Sequence, residues 1–127
     1  DMNQLLKALT EAEAYNGPSL IIGYAPCEMH GVKGGMQNCQ LAMKKAVDAG
    51  YWQMFRYNPT LENNKLIIDS KAPTANYVDF IKSETRYARL VQSFPEKAEE
   101  LFAKGKENAA AKYDRLQKLA TLYGNEE

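Results

Sequence analysis

The stretch that most constrains this chain runs from Ser19 to Met36. It opens with a short apolar run, Leu20-Ile21-Ile22, followed by Tyr24 and Ala25. Such a run predicts a strand over Ser19–Ala25, buried on both faces. Pro26 ends the strand, because proline has no N–H to give to a ladder. Cys27 follows at once, then the turn Gly31-Val32-Lys33-Gly34-Gly35, then a helix from about Met36. In open α/β sheets, ligands sit beyond the carboxyl ends of the strands. Cys27 is therefore where chemistry is expected.

Cys27 has two readings on residues alone. One is a small buried hydrophobe at a strand end, since free cysteine is among the most buried residue types. The other is a thiolate ligand or nucleophile. Cys39 falls on the apolar side of the following helix, in line with Met36, Met43 and Ala46, and reads as core. A Cys27/Cys39 metal pair lacks two ligands and the short spacing of zinc sites. The glycine turn, with Lys33, precedes a helix and offers N–H groups to an anion. Its pattern is neither a Walker loop nor a dinucleotide fingerprint, and glycines more often just permit a tight turn. His30, the single histidine, has no partner visible in sequence and is given no catalytic role. Arg56 reads as one arm of a salt bridge between adjacent elements, with anion recognition as the alternative.

The remaining elements follow from spacing. Met2, Leu5, Leu6, Leu9 and Ala12 share one face of a helix that ends near Tyr15, before Asn16-Gly17-Pro18. The second helix carries Met36, Cys39, Gln40, Met43, Ala46 and Val47 on one side and stops at Gly50. Tyr51–Tyr57 predicts a second strand covered on both faces, and Lys65–Asp69 a short third strand as a hairpin-like edge. Helix-strand-helix-strand order predicts a parallel pair with a right-handed crossover. A helix is expected over about Ala75–Gln92, with Tyr77, Phe80, Ile81, Glu84 and Ala88 on one face. Ser93 and Glu96 read as a capping box. A long helix then runs to about Tyr123 on the stripe Ala98, Phe102, Gly105, Ala109, Tyr113, Leu116, Ala120 and Tyr123. Its charged side, including Glu99, Glu100, Lys104, Lys106 and Glu107, reads as a solvated face. The fold class is α/β, with a short, mainly parallel sheet and a helical C-terminal half.

A length of 127 residues allows one domain with a real core. Sixteen basic residues balance sixteen acidic ones, so charge supplies no general attraction to nucleic acid or to a membrane. No apolar run approaches the roughly 20 residues of a membrane span. Two cysteines do not make a disulfide framework, and a reducing, cytoplasmic setting is expected. The chain opens at Asp1, without a methionine, on a helix. That start predicts a fragment whose preceding strand lies elsewhere.

Several ordered motifs carry a resemblance. They are Pro18 to Cys27, His30 to Met36, Ala49-Gly50-Tyr51-Trp52, Phe55-Arg56-Tyr57-Asn58-Pro59, Asp69-Ser70-Lys71-Ala72-Pro73, and Arg86-Tyr87 through Phe94-Pro95-Glu96. Together they resemble the C-terminal end of pyruvate:ferredoxin (flavodoxin) oxidoreductases. The resemblance implies part of a three-layer thiamine-binding domain. Residues 1–73 would be its C-terminal half and 74–127 a helical extension. It implies that Cys27 is one ligand of a 4Fe–4S cluster, with three ligands outside this chain, and that Cys39 takes no part. For the whole enzyme it implies oxidative decarboxylation of pyruvate to acetyl-CoA and carbon dioxide. The implied cofactors are thiamine diphosphate, magnesium and three 4Fe–4S clusters. Coenzyme A is the co-substrate, and ferredoxin or flavodoxin the electron acceptor. A homodimer is implied as well, and the rest of the polypeptide is this piece's first partner. The Gly-Asp-Gly thiamine motif of the family is absent from these residues. This piece alone is expected to hold no cofactor and to be inactive. Two other readings stay open. One is a non-enzymatic α/β interaction module docking through its last helix. The other is a small anion-binding protein using the glycine turn.

Overall fold

The computed structural model describes residues 1–124. Helix α1 spans Met2–Ala14. Its first turn is capped by Asp1, whose carboxylate accepts from the Gln4 N–H at 3.2 Å. After an irregular stretch, a 3₁₀ turn over Met36–Asn38 leads into α2, Cys39–Asp48. Strands β1 (Phe55–Tyr57) and β2 (Leu66–Ile68) form an antiparallel pair, with Phe55 opposite Ile68 and Tyr57 opposite Leu66. Helices α3 (Tyr77–Ser83), α4 (Thr85–Ser93) and α5 (Pro95–Leu122) complete the described chain.

The α/β class holds, with two strands among the described residues. The mainly parallel sheet does not. The hairpin-like edge is the whole described sheet, and its two strands run antiparallel. The expected strand Ser19–Ala25 is absent. Leu20, Ile21 and Ile22 are exposed, and no neighbouring strand pairs with them among the described residues. A strand exists only when a ladder partner takes its N–H and C=O groups. The second strand shrinks from Tyr51–Tyr57 to its last three residues. Phe55 and Tyr57 are each about half exposed rather than sealed into a layer.

The core sits where the helices converge. Ala46, Ala49, Phe80, Ile81, Ala98 and Phe102 form one buried cluster. Tyr24, Tyr51, Trp52, Tyr77, Tyr87, Leu90 and Val91 pack around it. The three alanines let backbones approach, and the aromatic rings fill the remaining space. The α5 stripe faces inward as its spacing predicts, with Ala98, Phe102 and Leu116 buried. The Tyr77 ring lies 3.4 Å from where a Gly105 Cβ would be. Near its end α5 meets the hairpin. The Lys65 N–H donates to the Tyr123 carbonyl at 3.1 Å, and Tyr57 meets Tyr123 edge-on at 5.3 Å. The side of α5 that carries Glu99, Glu100, Lys104, Lys106 and Glu107 is exposed.

Two boundaries differ from expectation. The helix predicted over Ala75–Gln92 is two helices, broken at Glu84, which is extended at φ −83° and ψ 126°. The break turns Tyr87, Leu90 and Val91 toward the core alongside Phe80 and Ile81. Ser93 is not an N-cap. It is the last residue of α4, while Phe94 precedes Pro95 in the first turn of α5. Proline suits that first position and pushes the residue before it out of the helical region. Phe94 accordingly has φ −145° and ψ 69°.

Gly50 ends α2 as its sequence predicts. Its N–H donates to the Val47 carbonyl, and the Tyr51 N–H to that of Ala46, which is the Schellman pattern. Gly50 has φ 72°, and a Cβ there would lie 2.8 Å from Pro73 Cγ. No described helix is long and apolar enough to cross a membrane.

Candidate functional site

Cys27 lies on an exposed turn. The turn is built between two fixed points. Pro26 before it is buried. Gly31 after it has φ 73°, and its N–H reaches the carbonyls of Glu28 at 3.0 Å and Cys27 at 3.1 Å. An L-residue at that φ would be strained, so glycine lets the chain reverse directly after His30. The reversal brings His30 Nδ1 to 3.0 Å from Cys27 Sγ.

The two side chains border a cleft of about 40 Å³ that is also lined by Tyr24, Ala25, Pro26, Gly31, Glu84 and Arg86. That volume holds a few water molecules. The break between α3 and α4 is what brings Glu84 and Arg86 here. Thr85 secures the junction, its hydroxyl donating to the Gly31 carbonyl at 3.4 Å.

Arg86 is held from behind. It donates to the Tyr51 phenol oxygen at 2.6 Å and lies over the Tyr87 ring at 4.7 Å. Tyr51 and Tyr87 share a hydrogen bond of 3.1 Å. Burial, and then the bond to Tyr87, push the Tyr51 phenol well above its ordinary range. Tyr51 therefore keeps its proton and accepts from Arg86, while sharing a hydrogen bond with the Tyr87 hydroxyl. Burial, with Glu84 adding to it, also raises Tyr24. The cleft lining thus includes a cation held by the Tyr51 and Tyr87 rings.

The other predicted residues are placed as follows. Cys39, at the start of α2, is half-buried rather than fully in the core. Met36 and Gln40, expected on the same apolar side, are exposed. The Gly31–Gly35 turn bonds within itself. Gly35 N–H donates to the Val32 carbonyl at 2.8 Å, and the Asn38 amide to that of Lys33 at 3.2 Å. Lys33 is exposed. Arg56 is the salt bridge its sequence context suggests. Its guanidinium grips Asp69 with two bonds of 2.8 Å and also contacts Glu11. Gln4 donates to Asp69 at 3.1 Å, so α1 is tied to the hairpin through this cluster. Burial works against the Asp69 charge, but the bonds from Arg56 and then Gln4 outweigh it. They hold the carboxyl below its ordinary range.

Sequence reasoning missed Glu84 and Arg86 as residues lining the cleft with Cys27, and Tyr51 and Tyr87 as the support of Arg86. They stand 24 to 60 positions from Cys27 along the chain. Nothing in spacing marks such a contact.

The donor set decides what the site can hold. A 4Fe–4S cluster takes four thiolates. Among the described residues no group of three or more His, Cys, Asp or Glu side chains converges on one point. Cys27 is an accessible soft donor beside an imidazole, so it fits as one ligand among four. With Cys39 the one other cysteine in the sequence, at least two of the four thiolates would have to come from outside this chain.

No protein-family model matches the chain. A pyruvate:ferredoxin oxidoreductase of Moorella thermoacetica is 53% identical over 121 residues, covering 93% of this chain and 10% of that protein. A pyruvate-flavodoxin oxidoreductase of Klebsiella pneumoniae is 42% identical over 123 residues, 94% of this chain and 10% of its own length. The protein of that name from Enterobacter agglomerans is 44% identical over 124 residues, 95% of this chain and 11% of its own. The chain spans about a tenth of the length of the curated relatives it matches.

Proposed function

Because this chain is a segment of the pyruvate:ferredoxin/flavodoxin oxidoreductase family, we propose that it works as scaffold and as the source of one cluster ligand within a longer enzyme. The whole enzyme, on this reading, oxidises and decarboxylates pyruvate to acetyl-CoA. It uses thiamine diphosphate and magnesium held elsewhere in the polypeptide. Its partners are ferredoxin or flavodoxin and a second copy of itself, in the cytoplasm. Residues 1–73 belong to the thiamine-binding domain and 74–127 to a helical extension, of which residues 125–127 lie outside the described part. By itself the segment has one thiolate to offer and no catalysis to perform. The observation that carries the reading is identity of 42–53% along more than nine tenths of the chain.

Cys27 is the ligand in this proposal. Its sulfur is open to solvent at the rim of a small cleft, where an inert core thiol would be enclosed. When bound, a 4Fe–4S cluster supplies one-electron transfer. The chain's own part is to hold the thiolate on the turn between Pro26 and Gly31. Long-helix docking as an interaction module has less in its favour, since the apolar stripe of α5 is already taken up inside the chain.

Replacing Cys27 by alanine in the full-length enzyme leaves one cluster short of a ligand. Iron counts and electron paramagnetic resonance should report its loss, or its decay to a three-iron form, with the other clusters kept. Cys39→Ala should retain all clusters and cost only about 1 kcal/mol of stability. A complete set of clusters in the Cys27 variant would falsify the assignment.

A further inference from the structure

The contact between His30 and Cys27 is prepared by the backbone. Pro26 is buried, Gly31 reverses the chain, and the Gly31 N–H closes the turn on the Glu28 and Cys27 carbonyls. The imidazole thereby lies three residues on from the sulfur, with Nδ1 and Sγ 3.0 Å apart. A sulfur bound to iron is a thiolate and has no proton to give. Of the two atoms, only Nδ1 can then carry the hydrogen.

We propose that His30 is a positioning residue, donating an Nδ1–H···Sγ hydrogen bond that orients the Cys27 thiolate and raises the reduction potential of the cluster bound there. The proposal rests on the reading of Cys27 as a cluster ligand. Its physical basis is the charge change on reduction. The added electron makes the cluster and its sulfurs more negative. A donor already aimed at one sulfur strengthens as that charge grows, so it favours the reduced form. Outer partners of this kind also fix the ligand's orientation. Of the charged groups on the cleft wall, Arg86 acts in the same direction and Glu84 in the opposite one. Arg86 is engaged with Tyr51 at 2.6 Å, which leaves His30 as the group in direct contact with sulfur.

The test is a redox titration of the full-length enzyme, followed by electron paramagnetic resonance, on His30→Ala and His30→Asn. The asparagine amide nitrogen stands close to where Nδ1 was, so it can keep the donor. With alanine, iron content should stay complete and one cluster should move to more negative potential. Its reduction equilibrium should fall about tenfold, equivalent to about 59 mV for one electron. The other clusters should not move, and asparagine should restore most of the shift. An unchanged potential in the alanine variant overturns the proposal. If alanine instead loses that cluster, asparagine decides. Iron retained at near-native potential supports the hydrogen bond, and iron lost or potential displaced overturns it. The Cys27→Ala variant separates the two readings. Clusters complete in that variant remove the ligand assignment and the hydrogen bond with it. A cluster lost there but unmoved in His30→Ala removes the hydrogen bond alone.

Discussion

Leu20, Ile21 and Ile22 are 83%, 49% and 68% exposed, whereas Ala98, Phe102 and Leu116 of α5 are 0%, 4% and 8% exposed. Both sets are apolar runs that the sequence marks for burial. The difference is in what each needs to be complete. A helix satisfies its backbone internally and asks only for a cover over its stripe. The helices α3 and α4 and the hairpin supply that cover within the chain. A buried strand asks for ladder partners as well as covers. The described residues provide no ladder partner for Ser19–Ala25, and of its side chains only Tyr24 is covered, against the core. α1 stands between the two cases. It forms as a helix, yet Met2, Leu5, Leu6 and Leu9 face solvent, and its attachment to the hairpin is polar.

The sharpest test of the contrast is a pair of truncations. Phe102→Ala should cost about 3–5 kcal/mol of folding stability, the usual range for a buried aromatic. Leu20→Ala should cost less than about 0.5 kcal/mol, as for an exposed site. Urea denaturation of this chain measures both. A large effect at Leu20 would mean that the run finds a partner within these residues and would break the comparison. In the full-length enzyme the Leu20 effect should grow, if the missing strand partners are there.

The tie between α1 and the hairpin gives an intermediate effect. Arg56→Ala removes two charge-assisted bonds to Asp69 from side chains that are each 12% exposed, at a cost of about 2 kcal/mol. The pH dependence has a definite sign. The folded Asp69 carboxyl sits below its ordinary value of 3.8, so its contribution is present above that value. It is lost as pH falls through the folded value. Acid titration of the native protein should therefore lose this stability below about pH 4, and Arg56→Ala should not show that component. An acid limb unchanged by the variant would mean that other carboxylates hold α1.

The smallest effect belongs to α5. Gly105→Ala should stabilise by up to about 1 kcal/mol, since the added methyl meets the Tyr77 ring at 3.4 Å, an ordinary contact. A loss of stability would show that Tyr77 cannot give way, and that α5 is packed more tightly than its covers suggest.

The parts legible in sequence are those whose physics is local. The α5 stripe repeats every three or four residues. Gly50 stops α2 with its own backbone bonds, and the short hairpin needs only Phe55–Tyr57 and Leu66–Ile68. Where a non-local partner decides, sequence fell short. No proline or glycine marks the break at Glu84, which is set by where Phe80 and Tyr87 must both pack. Ser93 and Glu96 matched a capping motif, but Pro95 between them moved the helix start. The site divides in the same way. Cys27 stood out because it follows a proline at the end of an apolar run. Its partner His30 lies three residues away, yet the turn that joins them depends on the φ of Gly31.

One packing detail gives the protein an optical handle. Trp52 is the single tryptophan, and it stacks on Tyr24 with ring centroids 5.8 Å apart and planes 28° from parallel. Tyr24 lies in the irregular stretch just before Cys27, while Trp52 follows α2 and borders the helical core. The indole therefore sits across the seam between the part of the chain that lacks its covers and the part that has them. Its fluorescence reads that seam without an added label. Any event that lifts the Cys27 turn off the helices opens the stack and bares the indole to water. The emission then shifts to the red, while the helical circular dichroism of α3 to α5 stays where it was.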